Sequence, residues 1–139
     1  MKSGRFYLDT SAYLCVLLGE NGHEALLDVL EDGALFSSAV LPLECHRILV
    51  SLARDGRLSS DELGRALERL EADLALFALH DVTLDLCRLR TMPLVATPHA
   101  IDLVHLRTAL AFHAREPLTR FVSTDESLIA AARELSLPV

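Results

Sequence analysis

Four acidic residues stand where solubility alone does not explain an acid. Asp9 ends the first apolar run of "RFYLDTSAYL" and begins the next, and Asp125 holds the same position in "FVSTDESL". Glu44, in "SSAVLPLECHRILVSL", is the only acid between Gly33 and Asp55, and Leu41, Leu43, Ile48 and Leu49 around it predict a largely buried helix. Asp102, in "TPHAIDLVHLRTALAF", falls in the opening turns of another apolar helix, with Thr97 as the expected N-cap and Pro98 at the first helical position. An unpaired carboxylate in such places is costly unless a cation neutralises it. Carboxylates gathered into one pocket raise each other's pKa values unless a divalent ion offsets them, and hard oxygen donors select Mg²⁺ or Mn²⁺. A cation so held can activate a bound water.

Each acid also has an ordinary explanation. Asp9 and Asp125 start helices and Asp is a favoured N-cap. Asp102 near a helix N-terminus complements the macrodipole, and Glu44 can pair with Arg47 three residues on. Four separate caps and pairs need not converge, so the elements that carry them decide between the two accounts.

Residues 5–8, 34–38, 76–80 and 120–123 read as strands, with "LPV" at the end as a short edge strand. Helical periodicity covers 11–18, 23–31, 39–54, 60–73, 82–91, 98–114 and 126–135. Strands alternating with helices imply an α/β fold whose parallel sheet is covered on both faces. Ligands of such sheets bind outside the carboxyl ends of the strands. Asp9 directly follows the first strand and Asp125 the fourth, so the two share one edge if those strands are neighbours.

The 139 residues are most simply one domain, 1–139, with 51% hydrophobic and 24% charged residues marking it as globular. With 5% aromatics and no Trp, the core must be built from Leu, Ala, Val and Ile. A net charge of -7 excludes a general nucleic-acid coat but leaves a local arginine patch open, since every base except Lys2 is Arg. Cys15, Cys45 and Cys87 form no CxxC pair, which fits a reduced, cytoplasmic protein. Lys2 and Arg5 before an apolar stretch imitate a secretion signal, but Asp9 interrupts it. The segment "AYLCVLL" is too short for a bilayer, which needs about 20 residues, so no membrane is expected.

Taken together, "YLDTSAYL", the helix carrying "LECHR", "AIDLVHLRTALAF" and "FVSTDESLIAAARELSLPV" resemble the PIN-domain superfamily. In size and motif order they are most similar to VapC-type toxin ribonucleases of bacterial toxin–antitoxin pairs. The resemblance spans essentially the whole chain, and its most specific part is D-x-x-H-L-x-T-A followed by a strand and [ST]-x-D. It implies a three-layer α/β/α fold with a central parallel sheet of four to five strands. It also implies that Asp9, Glu44, Asp102 and Asp125 form a catalytic metal-binding pocket, supported by the hydroxyls of Thr10, Ser11 and Ser123. The activity implied is an Mg²⁺- or Mn²⁺-dependent endoribonuclease leaving 5′-phosphate and 3′-hydroxyl ends, with one metal or two left open. The implied partners are RNA, a cognate antitoxin and a second copy in a homodimer. Pro42, two residues before Glu44, and Arg107, where Ala is common, depart from the pattern.

Three competing readings are weaker. His99, Asp102 and His105 at i, i+3 and i+6 lack the usual ligand set for zinc, and His105 is expected instead to hydrogen-bond near the site. His23, His46, His80 and His113 have no assignable role. A phospho-receiver domain wants paired acids after its first strand and a late Lys; Asp9 is single and the only Lys is Lys2. A PIN-like module that binds RNA or protein without cutting would have no need to keep all four acids.

Overall fold

The structure is a computed structural model that describes residues 4–139; Lys2, on which the secretion-signal and phospho-receiver comparisons turned, lies outside them. Its first strand, β1 (Arg5–Leu8), is buried along its whole length. Successive side chains of a strand point to opposite faces. Phe6 and Leu8 enter one core with Ala12, Tyr13, Leu14, Leu41, Leu49 and Leu70, while Tyr7 enters the other with Leu106, Ala109, Phe112, Leu128 and Ala132. That alternation generates the three layers.

On the Phe6 face pack α1 (Thr10–Leu18), α3 (Val40–Arg54) and α4 (Ser60–Leu74), with α2 (His23–Leu30) at its margin. On the Tyr7 face pack α5 (Ala100–Arg115) and α6 (Glu126–Glu134). Strands β2 (Ala34–Ser38), β3 (Phe77–His80) and β4 (Arg120–Val122) complete a four-stranded sheet of order β3-β2-β1-β4 in which every pairing is parallel. Tyr7 stands opposite Phe36 on one side and Phe121 on the other. Because β1 and β4 are neighbours, Asp9 and Asp125 do leave the sheet at the same edge, and the Asp9 backbone N–H donates to Val122 O at 3.2 Å.

The helix expected at 82–91 does not form. Thr83 caps a short turn through its hydroxyl, which accepts from the Leu86 N–H at 3.0 Å, and only a 3-10 turn at Leu89–Thr91 follows. Leu84 and Leu89 are each 90% exposed and only Leu86 is buried, so a helix here would have no continuous face to bury. α5 begins later than expected: His99, not Thr97, occupies the cap position with extended backbone, and Pro98 lies outside the helix. Residues 137–139 form no strand, although Pro138 O accepts from the Phe121 N–H beside β4. The helix of Glu44 is half-buried, with Leu41, Cys45 and Leu49 inward and Leu43 71% exposed. Pro42 is its third residue, where an N–H has no partner within the helix, so it leaves the helix intact. No helix among the described residues is long and apolar enough to cross a membrane.

Candidate active site

All four predicted acids line one cleft of about 450 Å³ at the carboxyl edge of the sheet, together with Thr10, Ser11, His99, His105, Arg47 and Arg57. They arrive from both sides of the sheet. Asp9 and Asp125 follow β1 and β4, Glu44 comes from the second turn of α3, and Asp102 comes from the first turn of α5 across the sheet. Ser123 stands immediately behind, its hydroxyl bonded to Asp9.

Asp9 is both cap and cleft residue. Its Oδ1 accepts from the Ala12 N–H at 2.9 Å, capping α1, while the Ser11 hydroxyl donates to Oδ1 at 2.8 Å and the Ser123 hydroxyl to Oδ2 at 2.6 Å. It is only 3% exposed, and burial raises its pKa against the opposing pull of those donors and of His105. Asp125 caps α6 with Oδ1, accepting from Ser127 N and Oγ at 2.9 and 2.7 Å, and these bonds hold its pKa below the usual value.

Glu44 makes no ion pair with Arg47 in the structure. Its Oε1 accepts instead from the Thr10 hydroxyl at 2.5 Å and lies 3.8 Å from His105 Nε2, contacts that lower its pKa, with the His105 contribution largest. His105 is buried beside the site, as expected, and bridges to Tyr7, whose hydroxyl is 2.8 Å from Nδ1. Tyr7 carried no functional signal in the sequence, because an aromatic in an apolar strand reads as core.

Asp102 has a buried Oδ2 with no hydrogen-bond partner. Burial first, then the charges of Asp125 and Glu44, raise its pKa against His99. A buried carboxylate oxygen left orphaned among like charges is what a cation would satisfy, and the all-oxygen donor set suits a hard divalent ion. Among the described residues no three His, Cys, Asp or Glu side chains close tightly enough to hold an ion by themselves. Mg²⁺, which keeps several waters and takes one or two carboxylates, asks for no such closure.

The electrostatics of Asp102 predict a stability effect with a definite sign. A raised folded-state pKa means that ionisation works against folding. The penalty is absent below the ordinary value of 3.8, grows as pH rises toward the folded-state value and is constant above it. Asp102→Asn should therefore raise the metal-free Tm slightly at pH 7, and the gain should fade as pH falls below the ordinary carboxylate value. Melting curves of both proteins across that range check it; a lower Tm at pH 7 would mean that the helix dipole outweighs burial and repulsion.

Comparison with known proteins agrees with this architecture. The family model of the PIN domain matches residues 6–139. Ribonuclease VapC35 of Mycobacterium tuberculosis is 28% identical over 138 residues, covering 96% of this chain and 93% of that protein, in each of two strains. Among solved structures, VapC20 of Mycobacterium tuberculosis, described as a sarcin-ricin loop cleaving toxin, superposes with a TM-score of 0.58 at 16% identity, covering 91% of this chain and 94% of that one. PAE2754 of Pyrobaculum aerophilum superposes with a TM-score of 0.55 at 20% identity, covering 95% and 86%. At those identities the two structures speak for the fold alone, whereas the family match takes in both the sheet and all four cleft acids: the chain belongs to the PIN domain family.

Proposed function

We propose that this protein is a VapC-type toxin, an endoribonuclease that hydrolyses RNA with the help of Mg²⁺ or Mn²⁺ and is held in check by a cognate antitoxin. The observation that carries the reading is the convergence of Asp9, Glu44, Asp102 and Asp125 on one cleft, with the buried Oδ2 of Asp102 unsatisfied. The full-length likeness to a ribonuclease supports it.

Asp9, Glu44, Asp102 and Asp125 are the residues that would hold the ion. When bound, the cation supplies acidified water and charge for the leaving oxygen. The chain's own groups do the rest. The Ser11 and Ser123 hydroxyls and the Ala12 N–H fix Asp9 in one orientation, so no reorganisation is needed when substrate arrives. Arg47 and Arg57 line the same cleft and provide the local positive charge that a chain of net charge -7 needs to draw RNA phosphates toward its acids. Exposed Leu43, with Val40, Val50 and Ile101 beside Glu44, offers apolar area for the homodimer that this reading includes.

Incubating the purified protein with RNA and Mn²⁺ tests the reading. Internal cuts should leave 5′-phosphate and 3′-hydroxyl ends, and the product of the neighbouring antitoxin gene should stop them. Ends bearing 2′,3′-cyclic phosphate would assign the attack to the ribose hydroxyl instead of water. RNA that is bound but never cut would make this a binding module on the same fold.

A further inference from the structure

Glu44 takes its hydrogen bond from outside its own helix, from the Thr10 hydroxyl on α1. It projects from α3, a half-buried element whose neighbouring Leu43 is 71% exposed, and a Glu side chain has three rotatable bonds to lose. Its orientation is set from the other side of the cleft.

The direction of each hydrogen bond there follows from the last one. An ionised carboxylate only accepts, so the 2.5 Å contact between Thr10 Oγ1 and Glu44 Oε1 uses the single proton of the Thr10 hydroxyl. Thr10 Oγ1 must then accept from His105 Nε2, 3.1 Å away, which places the ring proton on Nε2. In a neutral ring Nδ1 is then the acceptor, and the Tyr7 hydroxyl at 2.8 Å is its donor. Ser37 and Thr108, the other hydroxyls beside Tyr7, give their own protons to Leu8 O at 2.7 Å and Val104 O at 2.6 Å. Tyr7 is an immobile origin for such a chain: it is fully buried and stacked on Phe121 with ring centroids 5.5 Å apart and planes 6° from parallel.

We propose that Tyr7, His105 and Thr10 are positioning residues, a one-way hydrogen-bond relay from the sheet core that pins Glu44 Oε1 and leaves Oε2 for the cleft. The proposal rests on the reading that the cleft holds a divalent cation. The relay is long-range in sequence, joining β1, α1, α3 and α5, so it exists only in the assembled fold.

Its test has two arms. In the metal-free protein, nitrogen-15 NMR of the imidazole should show His105 protonated at Nε2 with Nδ1 as a hydrogen-bonded acceptor; a proton on Nδ1 would overturn the relay. In calorimetric titrations with Mn²⁺, Tyr7→Phe and Thr10→Val should each weaken binding about ten- to a hundredfold, the range typical when the groups behind a metal ligand are removed. Thr10→Ser, which keeps the hydroxyl, should bind like wild type. In a Glu44→Gln background, neither Tyr7→Phe nor Thr10→Val should change Mn²⁺ affinity further. Variants that merely lower Tm while binding Mn²⁺ normally would reduce the three residues to packing and sink the proposal. Failure of the functional reading looks different: wild-type protein that binds Mn²⁺ without cutting RNA, or binds none, leaves the ring protonation to decide the relay.

Discussion

Asp9→Asn should lower the RNA cleavage rate by at least about a thousandfold while moving Tm little. The magnitude follows from what a bound cation contributes to a phosphodiester transition state, several kcal/mol, at about 1.4 kcal/mol per tenfold in rate. The small stability change follows from geometry. Asp9 Oδ1 caps α1 by accepting from the Ala12 N–H, and Asn keeps an oxygen that can do the same. What is lost is the charge at Oδ2, where the Ser123 hydroxyl now donates at 2.6 Å. Asp125→Asn makes the same comparison at α6, with the cap again on Oδ1. Single-turnover cleavage alongside thermal melts separates the roles: variants that cut at the wild-type rate would show that both carboxylates are only caps.

Chelation should be as severe as losing an acid. In excess EDTA the wild-type protein should cut no RNA, and Mg²⁺ or Mn²⁺ should restore cleavage, with Zn²⁺ a poor substitute in a site of carboxylates and hydroxyls. A binding readout accompanies the kinetic one. Because burial raises the pKa of Asp9, and burial with repulsion from Asp125 and Glu44 raises that of Asp102, a cation that offsets their charge should stabilise the fold, and Tm should climb with Mn²⁺ concentration. Asp102→Asn should climb less from its higher starting point. Cleavage that persists in chelator, in a preparation freed of other nucleases by comparison with the Asp9→Asn protein, would remove the metal from the mechanism.

Local sequence was enough for the elements whose signals are local. The strand at 34–38 matches Ala34–Ser38, and the helix around Glu44 and the strand before Asp9 fall within a residue of expectation, because a buried strand or amphipathic helix writes its period into its own residues. The segment 82–91 misled for the same reason: its leucines have a helical look, but Leu84 and Leu89 found nothing to pack against. Propensity proposes a helix and only burial keeps it.

The site divides in the same way. The sequence by itself picked out the acids in apolar surroundings and the order of strand, Asp9, helix and strand, Asp125, helix; the family resemblance added Thr10, Ser11 and Ser123 as the hydroxyls expected beside those acids. Only the tertiary structure decided that β1 and β4 are neighbours, that α3 and α5 reach over the same edge from opposite faces, and that Glu44 answers to Thr10 and His105 rather than to Arg47 three residues away. Tyr7 is the extreme case, a core aromatic in a four-residue strand whose hydroxyl lies 98 positions from the imidazole it meets. A pattern of periods records which face of each element is buried. It does not record which buried polar atoms will face one another, since that depends on strand order and helix placement, set by packing across the whole chain.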